Sequence, residues 1–108
     1  MARVLVKLGG GLITDKSEYK QVRLDRVDAV SAVIRELRNC GHSVIIVHGA
    51  GSFGHLEARK WRLSEGFDSA ISEEQELAVT RVRSDMDDLN EYVIESLGRY
   101  GVECEVLP

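Results

Sequence analysis

The stretch Val44-Ile-Ile-Val-His-Gly-Ala-Gly-Ser-Phe-Gly-His55 constrains this chain more than any other part of it. Four apolar, β-branched residues run straight into a loop with glycines at 49, 51 and 54. This pattern predicts a strand that delivers a phosphate cradle. Glycines leave backbone N–H groups uncovered and accept positive φ, which suits a loop closing on an anion at the mouth of a parallel sheet. The spacing Gly49-x-Gly51-x-x-Gly54 also fits the dinucleotide fingerprint, a weak signal when it stands alone.

A second junction of the same kind lies near the N-terminus. Arg3-Val-Leu-Val-Lys-Leu8 reads as a buried strand and is cut off by Gly9-Gly10-Gly11. Lys7, at the strand exit, either snorkels to water or points its ammonium at an anion above the glycines, and the glycines favour the second reading. Lys16, beyond the loop, is a candidate second cation, and the residues up to Gln21 read as exposed loop. From Leu24, apolar residues at 24, 27, 30, 34 and 37 trace one helix face that Gly41 closes. Strand, helix, strand predicts a parallel crossover, with Val44 to Val47 a run of the kind covered on both faces.

Beyond the second loop, His55 to Arg62 reads as a short helix. Ser72-Glu-Glu-Gln75 has the spacing of a capping box. Ala78, Val82, Met86, Leu89, Val93 and Leu97 then define the apolar face of a long helix, while Asp85, Asp87, Asp88 and Glu91 lie off that line and are expected on a solvated face, not in a metal site. Gly98 and Gly101 end this helix, and the alternation from Val102 to Leu107 predicts a third strand. The order β-α-β-α-α-β implies an α/β fold with a mostly parallel sheet, one domain over residues 1–108.

Composition narrows the function classes. A net charge of −4 and 30% charged residues argue against general binding to nucleic acid or anionic membrane. The chain shows no secretory h-region and no apolar run of spanning length, so the expected location is cytoplasmic. Cys40 and Cys104 are expected as reduced thiols packed near the sheet. A dinucleotide-binding dehydrogenase would need an acidic residue at the end of the next strand, whereas Glu73 and Glu74 stand at a predicted helix start. Neither glycine stretch continues into the Gly-Lys-Ser/Thr of a Walker loop, and His42, His48 and His55 lack metal-ligand spacing. Two glycine loops with cations beside them instead suit phosphoryl transfer, where catalysis is positioning plus charge neutralisation.

Taken together, Lys7-Leu-Gly-Gly-Gly-Leu-Ile-Thr-Asp-Lys16 and His48-Gly-Ala-Gly-Ser-Phe-Gly-His55 resemble the amino-acid-kinase superfamily and, within it, the isopentenyl phosphate kinases. The resemblance implies an open αβα sandwich, of which this chain would be the N-terminal half. It also implies ATP-dependent phosphorylation of isopentenyl phosphate to isopentenyl diphosphate, with ATP and Mg2+, and a C-terminal half that holds the nucleotide. By that resemblance Lys7, Lys16 and His55 would be catalytic, and Gly9, Gly10, Gly49, Ala50, Gly51, Ser52 and Gly54 would bind the substrate phosphate. Val82 and Met86 would lie by the isoprenoid pocket. The family usually has Ser at Gly11, Gly at Ala50 and often Pro at Leu56. The expected partner is a small phosphorylated substrate, with no nucleic acid and no membrane, and a homodimer is the assembly to consider. Two alternatives stay open: another small-molecule kinase of the superfamily, of the fosfomycin-kinase type, and a non-catalytic phosphate-binding remnant.

Overall fold

A computed structural model describes residues 1–15 and 17–107, with His55 described by its backbone alone. Strand β1 (Arg3–Leu8) is followed by a single helical turn α1 (Gly10–Ile13) and by helix α2 (Leu24–Asn39). Strand β2 (Ser43–His48) then leads through a 3₁₀ turn (Gly51–Phe53) into α3 (His55–Lys60), and a second 3₁₀ turn (Leu63–Glu65) precedes the long helix α4 (Ser72–Arg99). At 28 residues, α4 is about 42 Å long. The two strands pair in parallel, in a register that sets Lys7 beside Val47 and Leu8 beside His48. Both glycine loops therefore leave the same edge of the sheet, as the sequence predicts.

Each long helix stops where a glycine permits it. Gly41 and Gly101 take φ of +86° and +76°. His42 N–H reaches back to the Leu37 carbonyl and Val102 N–H to that of Leu97, the six-to-one bond of a Schellman motif. Leu8, Ile13, Val27, Ile34, Phe53, Leu89, Val93 and Leu97 form the core, with Val6, Val44 and Ile46 packed against it from the sheet. Both long helices thus cover one face of the sheet.

The opposite face is open among the described residues. Leu5, Ile45 and Val47 alternate onto it and remain about half exposed, and Lys7 is exposed on the same face. Among the described residues these apolar runs are covered on one face only: this stretch supplies one helical layer of the α/β fold. A correction concerns residues 102–107, which form no strand. Val102 is tied to the end of α4, and a cavity of about 720 Å3 separates the segment from the free edge of β2, so no ladder partner stands within hydrogen-bonding reach. Cys40 and Cys104 are free and exposed, not packed near the sheet core. No helix among the described residues is long and apolar enough to cross a membrane.

The expected capping box is absent as well. Ser72 opens α4 without a side-chain cap. Gln75 is buried and serves a different purpose: its carbonyl accepts from Asp68 N–H (3.0 Å), and its amide donates to the carbonyls of Trp61 (3.0 Å) and Gly66 (3.1 Å). One side chain thus satisfies backbone groups on both sides of the 3₁₀ turn at Leu63–Glu65.

At the α2–α4 crossing, small residues permit close approach and carry a polar chain. Ser96 donates its hydroxyl to Asp28 (2.6 Å), Ser31 donates to Ser96 (2.7 Å), and Arg99 pairs with Asp28 (2.7 Å). The Ser96 hydroxyl first, and the Arg99 guanidinium second, hold the Asp28 carboxyl below its ordinary value of 3.8. Because the folded value is the lower one, the stabilisation is complete above the unfolded value and is lost as pH falls through the folded one. Ser96→Ala should return Asp28 toward the ordinary carboxylate range and flatten the acid-side dependence of stability. Side-chain carboxyl NMR titration, with urea unfolding at several pH values, checks this; an unchanged slope would remove Asp28 from the acid response.

Candidate functional site

The two glycine loops meet in direct contact. A Cβ added to Gly10 would fall inside the van der Waals envelope of Gly51 N, and one added to Gly51 would collide with the Thr14 hydroxyl and the Gly10 carbonyl. Gly51 also sits at φ +51°, the left-handed region that side chains resist. Gly49 N–H continues the sheet by donating to the Leu8 carbonyl (3.0 Å).

One hydroxyl fastens this contact. Thr14, 1% exposed, donates to the Gly10 carbonyl (2.6 Å) and accepts from Ser52 N–H (3.0 Å), so it ties the end of α1 to the second loop. Ser52 is equally buried, and its hydroxyl accepts from Gln21 N–H (3.1 Å). The donors of Ser52, expected to face a phosphate, are thus engaged inside the chain. Ser52 braces the loop in this structure. Among the described hydrogen bonds none uses the N–H of Gly10, Ala50 or Gly51.

Ala50, where the family pattern has glycine, adopts ordinary right-handed helical angles (φ −84°, ψ −34°), so its Cβ costs nothing there. The tight residue is Gly54, whose missing Cβ would stand 2.9 Å from the Ala50 methyl and 3.0 Å from Val82. Phe53 anchors the loop in the core and meets Tyr92 edge to face, with ring centres 6.2 Å apart.

The remaining predicted residues are distributed unevenly. Lys7 stands near the end of β1, two residues before the glycines begin and on the open face of the sheet, with no ion pair among the described residues. Gly9 caps α1. Lys16 lies outside the described residues. His55 opens α3 by its backbone, and its side chain also lies outside what is described. Val82 packs on Gly54, whereas Met86 faces the cavity between β2 and α4, so the two are not brought to one pocket.

Sequence reasoning missed three groups. Thr14 had a signal available, a hydroxyl four residues after a glycine that opens a turn. His48 is held by Asn90 (3.2 Å) and by the Gly49 carbonyl (3.1 Å), fixing the entry to the second loop on α4. Tyr19 and Lys20 bind Asp85, which is buried and not on a solvated face as expected; Asp87, Asp88 and Glu91 are exposed.

Two parallel strands, each ending in a glycine turn, with the turns interlocked and three loop N–H groups without described partners, define an α/β unit with backbone donors gathered at one sheet edge. The chain belongs to the amino acid kinase family, whose model matches residues 2–103. It is 31% identical over 105 residues to the isopentenyl phosphate kinase of Thermoplasma acidophilum, covering 97% of this chain and 40% of that protein. To the isopentenyl phosphate kinase of Methanothermobacter thermautotrophicus it is 33% identical, covering 92% and 37%. A crystal structure of the T. acidophilum enzyme in a product complex superposes with a TM-score of 0.78 at 30% identity, over 94% of this chain and 40% of that one. A substrate complex of an isopentenyl phosphate kinase gives 0.80 at 27% identity, over 94% and 40%. The chain therefore spans about 40% of the length of the relatives it matches.

Over-packing a filled contact costs about 1–3 kcal/mol, so Gly10→Ala should destabilise by at least that and spread the two loops. Thr14→Val keeps the shape but orphans Ser52 N–H, a loss of about 1–3 kcal/mol. Urea unfolding of both variants checks the pair; wild-type stability in either would show that the loops are not locked at that point.

Proposed function

We propose that residues 1–108 form the phosphate-acceptor part of a kinase that transfers a phosphoryl group from ATP to isopentenyl phosphate. One observation carries the reading. The interlocked loops leave the N–H groups of Gly10, Ala50 and Gly51 without described partners at the edge where two parallel strands end, an arrangement suited to phosphate oxygens. The names of the relatives supply the acceptor, and the remainder of their length is the part to which we assign the nucleotide.

In this reading the acceptor phosphate rests on the second loop, with Gly49, Ala50, Gly51 and Gly54 shaping it and Ser52 bracing it from behind. Gly9 and Gly10 bring the first loop up to the transferred group. Lys7, with Lys16, neutralises charge on that group, and His55 hydrogen-bonds the acceptor phosphate. Such a site lowers the barrier by fixing the attacking oxygen in line and by meeting charge as it shifts. Mg2+ would neutralise phosphate charge when bound; the described residues gather no acidic, histidine or cysteine cluster able to hold it. The apolar side of α4 around Val82, which packs beside Gly54 of the second loop, is the proposed side for the isoprenoid tail, with Met86 turned away from it.

Isopentenyl phosphate titrated into the labelled chain should move the amide signals of Gly10, Ala50 and Gly51 first. Shifts confined to other regions would remove the loops from the site. In the full-length kinase, a hydrogen bond to a charged group is worth about 1.5–3 kcal/mol, so His55→Ala should cut kcat/KM by roughly 10- to 150-fold. Lys7→Ala should cost more and fall mainly on kcat, because its partner charge changes in the transition state. A His55→Ala enzyme within about twofold of wild type, with only a lowered Tm, would reassign His55 to helix capping.

A further inference from the structure

The segment at 19–22 carries a set of contacts that the acceptor-site reading leaves unused. Its base is closed by Asp15 N–H on the Gln21 carbonyl (2.8 Å), by Arg23 N–H on the Ile13 carbonyl (2.7 Å), and by a bridge between Thr14 and Val22. Its tip is held by α4. The Tyr19 hydroxyl donates to Asp85 Oδ2 (2.6 Å), and Lys20 Nζ lies 3.3 Å from Asp85 Oδ1 and 2.7 Å from Asp88 Oδ2. The Lys20 ammonium also stands 5.9 Å from the centre of the Phe53 ring. Asp85 is only 6% exposed, so its oxygens are met by these side chains more than by water.

The backbone of this tip is unusual. Lys20 adopts φ +51°, one of two non-glycine residues described with positive φ, and a lysine holds such a conformation only when its surroundings over-determine it. What the strained turn achieves is a grip on the second glycine loop: Lys20 N–H donates to the Ser52 carbonyl (3.1 Å) and Gln21 N–H to the Ser52 hydroxyl. A chain of contacts therefore runs from α4 through Asp85, Tyr19 and Lys20 to Ser52, and from Ser52 through Thr14 to Gly10.

We propose that Asp85 is a positioning residue for the anion cradle: through Tyr19 and Lys20 it fixes the turn that grips Ser52, and so sets the aim of the Ala50 and Gly51 N–H groups. The inference rests on the acceptor-site reading for its functional meaning, although the mechanical coupling stands without it. Lys20 is accordingly a structural cation here, neutralised by two carboxylates and distinct in role from Lys7. The Tyr19 hydroxyl is pushed above its ordinary range, mainly by its hydrogen bond to Asp85, so it remains a donor at neutral pH.

The test compares Asp85→Asn, Tyr19→Phe and, as a control on the same helix, Asp87→Asn, all in the labelled chain. Two quantities are read: amide hydrogen exchange at Lys20 and Gln21 without ligand, and the dissociation constant for inorganic phosphate from the signals of folded protein. Asp85→Asn is expected to speed exchange at both amides about tenfold or more and to weaken phosphate binding about fivefold, with Asp87→Asn within about twofold on both. Should Asp85→Asn fail to fold, Tyr19→Phe, which removes one hydroxyl from a half-exposed ring, is expected to give the same changes at about threefold. A lowered Tm with exchange at Lys20 and Gln21 and phosphate affinity all unchanged would overturn the proposal. If wild-type chain binds no phosphate, the acceptor-site reading falls, and the exchange comparison still decides whether Asp85 holds the loop.

Discussion

The Thr14 hydroxyl and the glycine contact beneath it are the constraint on which the rest of the site depends. Two backbones can approach this closely only if neither carries a Cβ at the point of contact, which fixes glycine at positions 10 and 51. The hydroxyl then uses its donor on one loop and its acceptor capacity on the other. A buried polar atom placed this way is fully satisfied, and its loss would strand partners on both sides. The donors left over at Gly10, Ala50 and Gly51 owe their orientation to this joint.

Around that joint the molecule is layered by function. The sheet supplies parallel direction, so both turns emerge at one edge. The α2–α4 pair supplies the apolar mass beneath it. The polar residues of α4 act as struts, with Asn90 steadying His48 at the entry to the second loop and Asp85 steadying its far side through Tyr19 and Lys20. A single long helix thus fixes the loop at two places about one and a half turns apart. Such rigidity suits the proposed task of holding a phosphate in one orientation.

Much of this arrangement is legible in the sequence. Strand followed by glycine, read twice, predicts the paired loops, and the glycines at 41 and 101 mark the helix ends, because local chemistry decides both, whereas Gly98, also expected to end the long helix, lies inside it. Family membership follows from the same motifs read together. What the sequence conceals are choices made by tertiary contact. Asp85 looks like part of a solvated acidic face because its burial depends on a loop more than sixty residues earlier. Gln75 has the spacing of a cap and is used instead to hold a distant turn. Residues 102–107 alternate like a strand, yet a strand exists only where an edge lies within reach, and here a cavity intervenes. The open face of Leu5, Ile45 and Val47 is hidden for the same reason: an apolar run predicts burial without naming what covers it.

The Thr14–Ser52 bond has a consequence for how the chain reaches its native state. Its partners are separated by 38 residues, so it cannot form until β1 and β2 have found one another across the whole of α2. Closing a loop of that length is paid for in chain entropy before any anion-facing donor is aligned. The cradle therefore cannot form before the strands pair, and any substitution that slows strand pairing delays the appearance of the site itself.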